Sequence, residues 1–209
     1  MKILFFETEN CNTYIYYDES TLDAVVIDAG KDSGYLGGEF IKIEDEVNKL
    51  GLKINGILLT HCHFDHIFSA DFFREAFNAK IYLEENEAAL ASDEEKNVSQ
   101  MFGIGISVVA DELLRDGDTI MVGNSSLRVI STPGHTAGSM CLLDLPGKVV
   151  FSGDTLFLGD VGRIDLPTGN ENEMLSSLKK LAELPGDIKV YPGHGRSTTI
   201  AQERYRNVL

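Results

Sequence analysis

Residues 60–66 read Thr60-His61-Cys62-His63-Phe64-Asp65-His66, THCHFDH, and hold three of the five histidines in the 209-residue chain. A short apolar run, Ile54 to Thr60, feeds directly into this cluster, and a helix is expected from about Ile67 to Phe77. Imidazole and carboxylate are the donors that suit a borderline metal, and a loop at a strand end can hold them on a firm scaffold. On a helix these side chains would diverge. With 61 and 63 leaving a strand on one face and 65 and 66 on the next turn, they can serve two adjacent ions.

The remaining histidines, His135 and His194, stand in similar surroundings. Thr132-Pro133-Gly134-His135 follows a strand-like run ending at Ile130, and Tyr191-Pro192-Gly193-His194 follows one starting at Ile188. Pro-Gly marks a tight turn, so both imidazoles sit on loops beyond strands, where sites are commonly built. Ser152-Gly153-Asp154 places a carboxylate after another apolar strand. Taken singly, a lone histidine is more often a surface or hydrogen-bonded residue, and Asp154 a turn or helix cap. Their common placement favours ligands.

Around these motifs, strands are expected at Lys2 to Phe6, Thr13 to Tyr17, Ala24 to Asp28, Thr119 to Val122, Ser126 to Ile130, Ser139 to Asp144, Lys148 to Ser152 and Ile188 to Tyr191. Apolar spacing predicts helices over Glu39 to Leu50, Glu84 to Ala91, Glu171 to Leu184 and Thr199 to Val208. The segment 95–110, with its Gly-interrupted MFGIGISVVA, carries no clear period. Strands interleaved with helices in both halves imply an α/β (α+β) fold: a mixed sheet, or two sheets, covered by helices.

Composition bounds the function. Eighteen Lys and Arg against 33 Asp and Glu leave a formal charge of −15, with no basic cluster, so nucleic acid is a poor partner. No window approaches the roughly 18 apolar residues of a membrane span, and the four-residue apolar run Ile3 to Phe6 is too short for a secretory segment. Cys11, Cys62 and Cys141 are odd in number and scattered, as in reduced thiols of a cytoplasmic protein. With 43% hydrophobic residues, one domain over 1–209 is expected.

THCHFDH matches the H-x-H-x-D-H signature of the metallo-β-lactamase superfamily, and TPGHT, SGDTLF and YPGHG follow in the order that superfamily uses. The resemblance implies a four-layer αβ/βα sandwich: two mixed sheets face to face, helices on the outer faces, the site at one edge. Carried over by position, it implies one metal on His61, His63 and His135, a second on Asp65, His66 and His194, and Asp154 bridging. Two divalent ions are implied, Zn²⁺ first, with iron or manganese as alternatives.

The carboxylate at Asp154 and the stretch Gly162 to Pro167 resemble the short bacterial glyoxalase II-like subgroup. Full-length glyoxalase II continues into a helical glutathione-binding domain, whereas this chain ends 15 residues after His194. The implied reaction is hydrolysis of a small thioester or ester by a hydroxide held between two metals, with Asp65 orienting it or taking its proton. Other implied outcomes are a lactonase, or a persulfide dioxygenase with one iron on His61, His135 and Asp154. A metal-binding protein without useful turnover is the non-enzymatic reading. Arg163 is a candidate substrate contact or an ion-pair partner, and Asp28 a turn residue with a carboxylate near the ligands. Cys62 alternates with His61 and His63 and is expected to point away from the ions. The oligomeric state is not readable.

Overall fold

In the computed structural model, which describes residues 1–209, alternation decides the layers. In the strand β2 (Asn12–Tyr17), Tyr14 and Tyr16 face one way and Ile15 the other, and both faces are buried. The same alternation holds in β3 (Asp23–Ile27), with Val25 and Ile27 opposed to Val26, and in β11 (Met140–Asp144), with Leu142 opposed to Cys141 and Leu143. A strand buried on both faces needs a cover on each, so a two-sheet core with helices outside is the solution.

The first sheet runs β5 (Glu39–Ile41), β4 (Gly34–Leu36), β1 (Lys2–Thr8), β2, β3, β6 (Lys53–Leu58), β7 (Lys80–Glu84), β8 (Glu112–Leu114). It is antiparallel from β5 to β3 and parallel from β3 to β8. The second runs β14 (Thr198–Thr199), β13 (Lys189–Pro192), β12 (Val149–Gly153), β11, β10 (Ser125–Ser131), β9 (Thr119–Val122), with only β12 and β13 parallel. Between the sheets lie Tyr14, Tyr16, Ile27, Leu58, Val129, Leu142 and Phe151. Helices α1 (Ile43–Leu50) and α3 (Ala70–Phe77) contribute Val47 and Phe73 to the core outside the first sheet. Helices α5 (Glu171–Ala182) and α6 (Ile200–Tyr205) contribute Leu178, Leu181 and Ile200 outside the second. The four-layer αβ/βα sandwich is the fold.

Three expected elements are redrawn. The helix expected from Glu39 begins only at Ile43, because Gly37 and Gly38, at φ 61° and 92°, close a β4–β5 hairpin that takes Glu39 to Ile41. The helix expected from Ile67 is split into α2 (Phe64–Ile67) and α3 by a break at Phe68 and Ser69. Glu84 to Ala91 forms a 3-10 turn (Glu85–Glu87) and the short α4 (Ala88–Ala91) rather than one helix. Strands β7 and β8 gave no legible signal; β7 pairs in parallel with β6, a contact made only in three dimensions.

Candidate metal centre

All the strands that precede a candidate ligand end at one edge of the sandwich. β3 and β6 run in parallel, so Asp28 and the 60–66 loop emerge together; β12 and β13 do the same for Asp154 and His194, with Gly153 opposite Pro192. β10, two antiparallel steps from β12, points the same way and delivers His135. Close approach is enforced by glycine: a Cβ on Gly193 would lie 2.2 Å from Asp154 Oδ1 and 2.6 Å from His66 Cε1. Gly153, at φ 48°, leaves room for Thr60.

The structure brings seven of the expected residues into three overlapping clusters: His61, His63 and His135; His61, His66 and Asp154; Asp65, His66 and His194. Within each, the donor atoms lie within 4.8 Å of one another. His63 Nδ1 is 2.9 Å from His135 Nε2, and His66 Nε2 is 3.3 Å from His194 Nε2. Asp154 spans the clusters, with Oδ2 3.6 Å from His135 Nε2 and 3.4 Å from His194 Nε2, and Oδ1 3.4 Å from His66 Nε2. Asp65 Oδ2 lies 3.2 Å from His194 Nε2.

The donor set fits a divalent ion. His135 Nδ1 lies 2.7 Å from the carbonyl oxygen of Arg163, an acceptor only, so that nitrogen carries the proton and Nε2 presents a lone pair. Asp28 Oδ2 lies 3.0 Å from His66 Nδ1, although the alignment falls short of a hydrogen bond, and this again turns Nε2 inward. His61 Nε2 and Asp154 Oδ1 are buried without a hydrogen-bond partner. Such atoms are costly unless something charged satisfies them.

Burial holds the His61, His63 and His135 imidazoles below their ordinary range, His63 down to about 3, so all three are neutral donors. Burial also acts against a charge on His66 and His194, but the carboxylates around them prevail and raise both, His194 to about 9. Burial would raise Asp65 and Asp154; the neighbouring imidazoles outweigh it, and both stay ionised. In the half nearest His194 a divalent ion would take the place of the protons that the carboxylates hold on His66 and His194, and the half nearest His61 offers lone pairs.

Of the groups that support the ligands, sequence reasoning picked out Asp28 and missed Glu87 and Asn12. Buried Asp28, at φ 56°, accepts Thr60 N–H at 2.8 Å and the Thr60 hydroxyl at 2.9 Å, fixing the start of the ligand loop. Glu87, 1% exposed, accepts Cys62 N–H (2.8 Å), Gly138 N–H (2.9 Å) and the Thr136 hydroxyl (2.9 Å), tying the 60–66 loop to the loop carrying His135. Asn12 donates from Nδ2 to the carbonyls of Pro192 and Gly195, both at 2.9 Å, and so holds the His194 turn. An isolated Glu or Asn has no sequence pattern that would flag such a role. Cys62 is fully buried in the core outside the first sheet, and all three cysteines are free and buried. Arg163 lines the cavity, but its guanidinium pairs with Asp165 at 2.6 and 2.7 Å and is largely exposed.

A cavity of about 570 Å³ opens over the clusters, walled by Phe64, Met101, Phe102, Phe157, Val161 and Leu166. No helix is long and apolar enough to cross a membrane.

A four-layer sandwich that gathers five imidazoles and two carboxylates at one edge is a metallohydrolase scaffold. The chain belongs to the metallo-β-lactamase superfamily, which its residues 7–194 match. It is 39% identical over 175 residues to the probable metallo-hydrolase YqgX of Bacillus subtilis, covering 82% of each chain. It is 30% identical over 203 residues to the hydroxyacylglutathione hydrolase GloC of Haemophilus influenzae, covering 95% of this chain and 91% of that one. Among solved structures, the BLEG-1 B3 metallo-β-lactamase superposes with a TM-score of 0.83 at 32% identity, covering 98% of this chain and 96% of that one. TTHA1623 in a di-iron-bound form gives 0.78 at 31% identity, covering 95% of each.

Proposed function

We propose that the chain is a dinuclear metallohydrolase that cleaves a small thioester, such as an S-hydroxyacyl thiol conjugate. The observation that carries this reading is the paired convergence of His61, His63 and His135 on one side of Asp154 and of Asp65, His66 and His194 on the other. The first three would hold one ion, the second three another, and Asp154 would reach both. Divalent ions held there polarise a carbonyl and lower the pKa of water toward neutrality. Zinc suits the nitrogen-rich donors, and iron or manganese the added carboxylates.

The chain's own groups do the rest. Asp65, ionised and at the cavity side, accepts the proton of an attacking water at a carboxylate oxygen. The Arg163 carbonyl and Asp28 keep the His135 and His66 rings turned inward, so the donors are oriented before substrate arrives. A thiolate leaves readily, so no strong acid need face the leaving group. The likeness to a hydroxyacylglutathione hydrolase supports a thioester among ester substrates.

Metal analysis of the isolated chain with a panel of thioesters, lactones and a β-lactam tests the reading. Two ions per chain, thioester hydrolysis lost on chelation and its return with Zn²⁺, Mn²⁺ or Fe²⁺ are expected. Thioesterase activity that survives complete metal removal would refute it; one iron per chain with dioxygen uptake would replace it by persulfide oxidation.

A further inference from the structure

Part of the cavity wall is built by a segment that the metal ligands do not require. A 3-10 turn (Ser99–Phe102) projects Met101 and Phe102 toward solvent, 75% and 60% exposed, at the rim of the cavity. Large apolar side chains left in water beside a pocket mark a binding surface. The turn is fastened to the metal loop itself: Phe64 N–H donates to the Asn97 carbonyl at 2.9 Å, and the Phe64 and Phe102 rings lie 4.6 Å apart. Fully buried Asn97 closes the segment by donating to the Ile106 carbonyl at 2.6 Å and accepting Ser99 N–H at 2.9 Å. Met101 and Phe102 are therefore presented on a braced turn.

Phe157, Val161 and Leu166 line the same cavity. Arg163 is the one Lys or Arg of the lining, and Asp165 grips its Nε–Nη2 edge through two parallel hydrogen bonds, setting an anion beside the cation and weakening its pull on a substrate carboxylate. Asp65 and Asp154 add two carboxylates to the lining. In a chain of net charge −15 whose one lining arginine is already paired, a substrate that brings its own carboxylates gains little from the cavity walls.

We infer that the cavity selects an uncharged thioester with an apolar acyl chain of several carbons, seated between the Met101–Phe102 turn and the Phe157–Leu166 wall. This rests on the thioesterase reading of the metal centre and specifies its substrate class. Glutathione conjugates, with two carboxylates, are the disfavoured class.

The test uses the metal-loaded full chain and N-acetylcysteamine thioesters with acetyl, butanoyl, hexanoyl and octanoyl groups. The kcat/KM is expected to rise with chain length, by up to about fourfold per methylene while the wall is being covered. In the doubly substituted Met101→Ser, Phe102→Ser chain the octanoyl-to-acetyl ratio is expected to fall at least tenfold. Asp165→Asn frees Arg163, and the ratio of acylglutathione to acyl-N-acetylcysteamine turnover is expected to rise about two- to fivefold.

Calorimetric binding of the unreactive S-octyl and S-methyl thioethers of N-acetylcysteamine separates the two claims. If no thioester is turned over yet the octyl thioether binds more tightly, the hydrolase reading fails and the apolar cleft stands. If thioesters are hydrolysed at rates independent of chain length, or acylglutathione is preferred by the unaltered chain, the inference is overturned and the metal chemistry stands.

Discussion

Replacing Glu87 with leucine should damage the metal centre from outside it. The carboxylate is buried and takes three donors: two amides, of Cys62 and Gly138, and the Thr136 hydroxyl. Thr136 keeps a second partner, since its hydroxyl lies 2.7 Å from that of Ser139, but the two amides have none other. Each stranded amide costs about 1–3 kcal/mol, so the gross loss is about 2–6 kcal/mol. Burial raises the Glu87 pKa above the ordinary carboxyl range, which means that the anion itself is held at some cost, and leucine removes that cost. A net destabilisation of about 1–4 kcal/mol remains, equivalent to a fall of about 2–16 °C in Tm. Urea unfolding of the metal-free chain measures this part.

The second part concerns geometry. Cys62 lies between His61 and His63, and Thr136 follows His135, so the same carboxylate sets the separation of His63 and His135, now 2.9 Å between nitrogens. Loss of such a support lowers metal affinity by about 10- to 100-fold, measurable by competition with a chromophoric chelator. Glu87→Gln keeps one acceptor oxygen for the Thr136 and Gly138 side and turns an amide N–H₂ toward Cys62, so an intermediate loss is expected. If Glu87→Leu unfolds at the wild-type urea midpoint, or is destabilised while binding zinc as tightly as before, the clamp reasoning is wrong.

Gly193→Ala places a methyl carbon on Asp154 and His66, and should abolish stoichiometric metal uptake, read by metal analysis. Arg163→Ala should leave the metal content at its wild-type value, because His135 is held by the backbone carbonyl of residue 163 and not by its side chain; loss of an ion would contradict this. Asp18 accepts hydrogen bonds from Ser20 and Asn124, joining the two sheets, and these bonds hold its carboxyl well below the usual range. A depressed folded pKa gives stability that is present above the unfolded carboxyl pKa and lost as pH falls through the folded one. The urea midpoint of the wild type should therefore drop more steeply below about pH 4 than that of Asp18→Ala. Zinc added to the chelated chain should raise its Tm, more so at higher concentration, since an ion bound only by the native state stabilises by mass action.

The candidate ligand motifs stand out because each is local: histidines and carboxylates sit within a few residues of a strand end and a tight turn, so type and spacing are visible together. The strands that position them were legible where the burial pattern is also local, as in β2 or β12. Other elements depend on partners far along the chain. β7, KIYLE, alternates charged and apolar residues weakly over five positions and is a strand because β6 and β8 flank it. The 95–110 segment has neither period, and its form rests on Asn97 reaching Ile106 and the Phe64 amide.

The same distinction separates the two halves of the functional reading. Metal chemistry needs donors of particular types, and types are written in the sequence; selectivity needs shape and the absence of free charge, and these exist only after folding. Arg163 illustrates the point. As a residue type it suggests an anion contact, and in sequence its neighbour Asp165 is merely two positions away. In the structure the two side chains meet through a pair of hydrogen bonds, so one edge of the cation is already engaged by a carboxylate. Met101 and Phe102 show the converse: unremarkable as residue types, they become the rim of the pocket because an asparagine 30 or more positions from the metal loop fastens their turn to it. If Asp165→Asn fails to shift selectivity toward acylglutathione while Arg163 is otherwise intact, that engagement is not what shapes the substrate preference, and charge must be read from the metals and carboxylates alone.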